Sequence, residues 1–297
     1  MITPVQRSYL FLHISVFLWG FTAILGAWID LSAPILVWWR VAITTMVMLL
    51  IPGMLKGISK IPASRRRVFI WIGVIVALHW VCFYGAIKMA NASVTLICMS
   101  TASLFTAFIE PLFTKQKFKW IDLGFGIVII PAIILTTQGM SWEMMPGFWV
   151  GILAAFLAAL FAVFNKKYIE DTSPQVITII EMGSAWAFLT ICAPALFFFE
   201  SAQLMPHSED VVLLLILAVV CTVVPFILHL KAFEHLSAFA SNLIINLEPV
   251  YGILLAIILL QEHHDLTREF YFGVFLIFVI VLAYPLTRKW RVLGDSI

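Results

Sequence analysis

Apolar positions in this chain come in long unbroken runs, near residues 8–29, 33–55, 68–89, 92–114, 119–138, 147–168, 174–199, 210–233, 237–260 and 269–287. Short segments bearing charges, prolines or glycines separate them. Each run holds about 19–26 residues, enough as a helix to cross ~30 Å of hydrocarbon. With no long hydrophilic stretch between them, the pattern predicts an all-α integral membrane protein of ten transmembrane helices and no soluble domain. The first run, Ser8 to Ile29, is longer than a signal-peptide core and lacks a small-residue cleavage pattern, so a retained first helix is expected.

Five runs precede Gly139–Pro146 and five follow it. Five is odd, so the second set enters the membrane opposite to the first, as in a transporter built from two inverted repeats. The expected division is a first repeat over 1–138, a connection at 139–146, a second repeat over 147–290 and a tail from 291 to 297. An offset of 146 residues pairs Ala86 with Ala232, Ala92 with Ala238, Thr95 with Ser241 and Phe105 with Tyr251.

Composition supports this class. Of 297 residues, 63% are hydrophobic and 11% charged, and the mean hydropathy is +1.06, which excludes ordinary soluble and disordered chains. The net charge of +2 is close to balance and by itself says little about partners; no nucleic-acid partner is expected. Its distribution is more telling. With both termini cytoplasmic, fifteen of the eighteen Lys and Arg fall on the inner side; Lys88 and Arg268 fall outside, and Arg40 lies within a span. That asymmetry predicts a multi-pass protein of the inner (plasma) membrane with both termini inside. Cys82, Cys98, Cys192 and Cys221 all lie in apolar runs and are read as packing residues.

Polar residues inside the runs are the candidate chemistry, because charge in a bilayer interior is expensive and marks pathways or ligand sites. Asn246, Glu248 and Pro249 interrupt an apolar stretch, and the proline frees a backbone carbonyl there. Irregular backbone at that depth is tolerated where it is buried in protein or lines a cavity. Arg40 stands about 10 Å into the second run at 1.5 Å per residue, beside Trp38 and Trp39. It reads either as a counter-charge for substrate or as a structural partner of Glu181 or Glu248. One of the two tryptophans is expected to face the cavity.

His79, Trp80, Phe83 and Tyr84 share a helical face and form a candidate aromatic wall. Met99, Ser103, Thr106 and Glu110 make one stripe along the fourth run, the hydroxyls suited to close helix packing and Glu110 to an ion pair near Lys115 and Lys117. Glu181, with Trp186 nearby, is a second buried carboxylate. Three carboxylates, Glu110, Glu181 and Glu248, thus face one fixed cation, Arg40. The surplus must be protonated, solvated or paired with something mobile, which points to proton coupling and to a cationic or zwitterionic substrate.

The segment Lys231–Leu243, continuing through Leu247-Glu248-Pro249-Val250-Tyr251-Gly252 to Leu260-Gln261-Glu262, resembles the EamA repeat of the drug/metabolite transporter superfamily. Phe17-Leu18-Trp19-Gly20, Trp38-Trp39-Arg40 and the stretch from Tyr84 to Phe105 are similar to its first half. Ser103 departs from the pattern where a proline is frequent, and Gln116 where an acid is usual. The resemblance implies ten helices in two repeats and a carrier of amino acids, nucleobases, drugs or other small metabolites.

The function expected is therefore secondary active transport of a small polar metabolite, amino acid-like, nucleobase-like or cationic, by alternating access with proton-coupled export. Uptake or facilitation by the same fold is the alternative, and an intramembrane enzyme is the rival from another class, although no nucleophile–base pair supports it. Substrate contacts are assigned to Trp38, Arg40, His79, Trp80, Tyr84, Met99, Ser103, Glu181, Trp186, Asn242, Asn246 and Tyr251, and coupling or gating to Glu110, Glu181 and Glu248. No cofactor or metal is expected, since Glu262-His263-His264-Asp265 is consecutive rather than spaced to converge on an ion. Lipid is an expected partner, with a monomer or homodimer as the assembly.

Overall fold

The computed structural model describes residues 3–137, 140–169, 172–199, 203–245, 247–261, 267–269, 271–273, 275, 276, 279, 280 and 283. Asn246 and the Glu262–Asp265 cluster lie outside the described residues, as does the Asn242 side chain. The tenth run falls largely outside them as well.

Among the described residues all regular structure is helical. The chain opens with α1 (Pro4–Trp28), which begins where its sequence says it should: Thr3 and Gln6 form a reciprocal capping box and Pro4 occupies the first turn. Next come α2 (Ala33–Leu49), α3 (Met54–Lys60) and α4 (Ala63–Met89). The second apolar run is therefore not one helix over 33–55. Its last residues enter a turn at Pro52–Gly53, with Gly53 at φ +82°, and α3 leaves at 96° to α2. A left-handed glycine after a proline ends the helix where hydropathy alone would extend it.

The fourth run holds α5 (Ala92–Met99) and α6 (Ala102–Phe113), separated by a turn at Ser100–Thr101; α7 (Trp120–Thr137) closes the first half. The second half comprises α8 (Met145–Tyr168), α9 (Pro174–Phe199), α10 (Ser208–Leu215), a π-helical stretch over Ile216–Val223, α11 (Val224–Ala232), α12 (Ala238–Ile245) and α13 (Glu248–Leu259). Among the described residues, six helical segments are long and apolar enough to cross a membrane, α5 with α6 counted as one, and seven if α2 and α3 count as one bent span. Large apolar side chains such as Trp71, Leu112 and Ile191 point outward, as they do on helices surrounded by lipid tails.

Adding 146 to the bounds of α5 and α6 gives the bounds of α12 and α13, so the two broken helices match residue for residue in length and in the place of the break. Packing repeats likewise: α5 lies on α13 as α12 lies on α6, and α6 lies on α8 as α13 lies on α1. The further pairs α4 with α8 and α1 with α11 exchange in the same way. Each broken helix thus packs against helices of both halves.

Candidate functional site

Both breaks border one cavity, which is partly open rather than sealed. Met99 and Ala102 border it from the ends flanking the first break, and Ile245 and Glu248 from those flanking the second. Trp19 and Thr22 of α1, Arg40 of α2, His79, Trp80 and Phe83 of α4, Ala158 and Phe161 of α8 and Phe226 of α11 complete the wall. The lining is mostly apolar and aromatic with a few convergent polar groups, the composition of a small-molecule site.

Arg40 is buried, with 2% of its surface exposed, and every feature around it suits a guanidinium. Nε donates to Thr222 Oγ1 at 2.7 Å, Nη1 to the Tyr84 hydroxyl at 2.7 Å and Nη2 to the Cys221 carbonyl at 3.4 Å. Its guanidinium carbon lies 3.8 Å from the centroid of the Trp80 ring, a cation–π contact that gains strength away from water. None of these partners is a carboxylate, so of the readings open from sequence the structural pairing with Glu181 or Glu248 gives way to a cradle of hydroxyls, a carbonyl and a ring.

The cradle has a local cause. Pro225 has no N–H and its ring displaces the carbonyl four residues earlier, which is that of Cys221. The preceding π-helical stretch shifts the ladder by one residue, and Thr222 Oγ1 donates back to the Leu217 carbonyl at 2.6 Å while accepting from Arg40. A proline inside the 210–233 run was the available signal; hydroxyl and carbonyl partners otherwise leave no mark in a hydropathy pattern.

Glu248 opens α13, where the N-terminal dipole favours a carboxylate, and Pro249 follows in the first turn. Its side chain borders the cavity and has no recorded hydrogen-bond partner among the described residues. His79 also borders the cavity. Its Nδ1 lies 2.8 Å from the Ala154 carbonyl, an atom that can only accept, so Nδ1 carries the proton. Trp80 and Phe83 continue the wall, whereas Tyr84 stands behind it and steadies Arg40. A Cβ on Gly26 would overlap the Tyr84 ring, so that glycine makes room for the ring that reaches Arg40.

Other sequence candidates lie elsewhere. Neither Trp38 nor Trp39 faces this cavity: their indole N–H groups donate to Thr190 Oγ1 and to the Leu204 carbonyl, both at 2.9 Å, and they border a separate apolar recess. Trp186 packs edge-on against Trp38 with ring centroids 6.1 Å apart. Tyr251 packs against Phe17 at 5.8 Å. Ser103 and Thr106 are buried and donate to the carbonyls of Ser100 and Ala102. Glu110 accepts from the Ala238 backbone N–H at 3.0 Å and from Gln116 Nε2 at 3.1 Å, tying the end of α6 to the start of α12. Gln116, which departs from the family's acidic residue, is thus a partner of Glu110.

Glu181 is fully buried but outside the cavity. It is the eighth residue of α9, as Arg40 is the eighth of α2. Its Oε2 accepts from Asn165 Nδ2 at 3.5 Å, while Glu181 Oε1 and Asn165 Oδ1 are buried without a partner among the described residues. Two orphaned acceptors side by side are costly unless a proton or cation joins them. Asn165, Thr222, Trp19, Phe161 and Phe226 are the site residues that sequence reasoning did not single out as ligands.

Long apolar helices packed around an interior cavity define a multi-pass membrane protein. The chain belongs to the EamA-like transporter family, whose model matches residues 6–138 and again 145–284, so it is a membrane transporter by family and carries two copies of the repeat. A solved crystal structure shares the fold with a TM-score of 0.70 at 14% identity, covering 95% of this chain and 98% of the other. Comparison with curated proteins finds no match.

Proposed function

We propose that this chain is a secondary active transporter that moves a small polar metabolite by alternating access of two inverted five-helix repeats, exporting it in exchange for protons. In this reading ten helices cross the inner membrane with both termini cytoplasmic, and the cavity at the two helix breaks holds the substrate. Arg40, His79, Trp80, Met99 and Glu248 contact or enclose it. Tyr84 holds Arg40 in place, and the Glu181–Asn165 pair carries the coupling proton. Glu110 serves as a latch between α6 and α12.

The observation that supports the reading best is the placement of Glu248 and Arg40 around one cavity at the junction of the repeats. Such a junction is where a rocking motion of one repeat against the other would expose a ligand to alternate sides. Purified protein in proteoliposomes, loaded with a mixture of amino acids, nucleobases and amines, should catalyse counterflow of at least one labelled solute. An imposed pH gradient should drive its net movement, and Glu181→Gln should retain counterflow while losing that drive. Absence of counterflow for every solute in folded, reconstituted protein would overturn the proposal.

A further inference from the structure

We infer that the cavity selects a substrate carrying an N–H-bearing ammonium group on an apolar or aromatic body, recognised jointly by Glu248 and His79. This rests on the transport reading above and names the substrate class for the same cavity.

The argument is one of hydrogen-bond supply. The Ala154 carbonyl fixes the His79 proton on Nδ1, so Nε2 of the neutral ring is a lone-pair acceptor, and no protein donor to it is recorded among the described residues. The Glu248 carboxylate is in the same position. Both border one cavity, which therefore presents two acceptors in want of a donor. A protonated amine has two or three N–H groups on one centre, the kind of donor that both acceptors lack. The remaining wall, Trp19, Trp80, Phe83, Phe161 and Phe226, supplies ring faces that attract cations and pack apolar bodies.

Arg40 does not reverse this preference. Three of its five N–H groups are taken by Thr222, Tyr84 and the Cys221 carbonyl, and the Trp80 ring lies over its carbon, which leaves only two Nη hydrogens outside these contacts. The guanidinium is built into the wall rather than held out as a receptor, and an anion beside it would meet the Glu248 carboxylate. A quaternary ammonium would keep the ring contacts and the charge yet leave both acceptors without a hydrogen bond.

Three probes of one shape separate these cases: phenethylamine, its N,N,N-trimethyl analogue and 3-phenylpropanoate, each titrated against the purified full-length protein in a thermal-shift assay. Phenethylamine should stabilise saturably, the trimethyl analogue should bind roughly tenfold or more weakly through loss of its hydrogen bonds, and the carboxylate should give no shift. Glu248→Gln should abolish the amine effect, and His79→Phe should bring the amine close to the trimethyl analogue. The comparison among probes on unaltered protein stands even if a variant does not fold. Equal binding of amine and trimethyl analogue, a shift by the carboxylate matching that of the amine, or no shift by any probe would overturn the inference. Counterflow of another solute by the same preparation would then leave the transport reading standing.

Discussion

Arg40 and Trp80 meet face to face, the guanidinium carbon 3.8 Å from the ring centroid, while Tyr84 from the next turn of the same helix takes a guanidinium hydrogen. One helix thus supplies both the cover and an edge of the cradle, and α11 with its π-helical lead-in supplies the rest. A planar fork is needed to use all of these at once, which an ammonium cannot do. Arg40→Lys should therefore lower the thermal midpoint and abolish substrate-induced stabilisation although the charge is kept. Thermal unfolding in detergent with and without substrate measures both.

Thr222→Val removes the hydroxyl that accepts from Arg40 Nε at nearly constant volume. Hydrogen bonds to charged groups contribute about 1.5–3 kcal/mol, and a fall in stability of that order is expected in denaturant or thermal unfolding. The Arg40→Lys and Thr222→Val effects should be non-additive in a double-mutant cycle, because the two side chains share the bond.

Gly26→Ala tests the Tyr84 contact without removing any polar group. The added methyl would overlap the Tyr84 ring and push its hydroxyl away from Arg40. Substrate affinity should fall with little loss of helix content, read by ligand-induced thermal shift beside circular dichroism. Tyr84→Phe in the Gly26→Ala background should then have almost no further effect on affinity.

Glu110→Ala removes the acceptor that joins the Ala238 N–H to Gln116. An unsatisfied buried donor costs about 1–3 kcal/mol. If the latch holds α6 to α12, the variant should be more easily cleaved or labelled at a cysteine placed near residue 237 than the unaltered protein. Equal labelling rates would remove Glu110 from any gating role.

Much of this architecture is legible in the chain. Apolar run length placed the helical segments in outline, and Asn246, Glu248 and Pro249 marked an interruption of the ninth run, whereas the turn at Gly53 fell inside a run read as unbroken. Arg40, His79, Trp80 and Glu248 were recognisable because charge or a polar ring is conspicuous in an apolar run, Met99 because it shares a helical stripe with Ser103 and Thr106, and all five border the cavity. Trp38, Trp186 and Tyr251 look equally conspicuous but pack elsewhere, since an aromatic residue serves a helix interface as well as a ligand. Thr222, the Cys221 carbonyl and Asn165 stayed hidden for the opposite reason. Their contribution is a single oxygen or amide whose value depends on a partner more than a hundred residues distant for the first two, and on a neighbouring helix for the third.

The two broken helices are copies in length, yet the positions that correspond at the cavity are Ala102 in one and Glu248 in the other. A duplicated frame with single-copy chemistry has no second equivalent pose to offer. Cargo held by Glu248, as proposed, would meet unlike walls on its way to either side, so the working cycle would inherit a front and a back from two halves that match in outline.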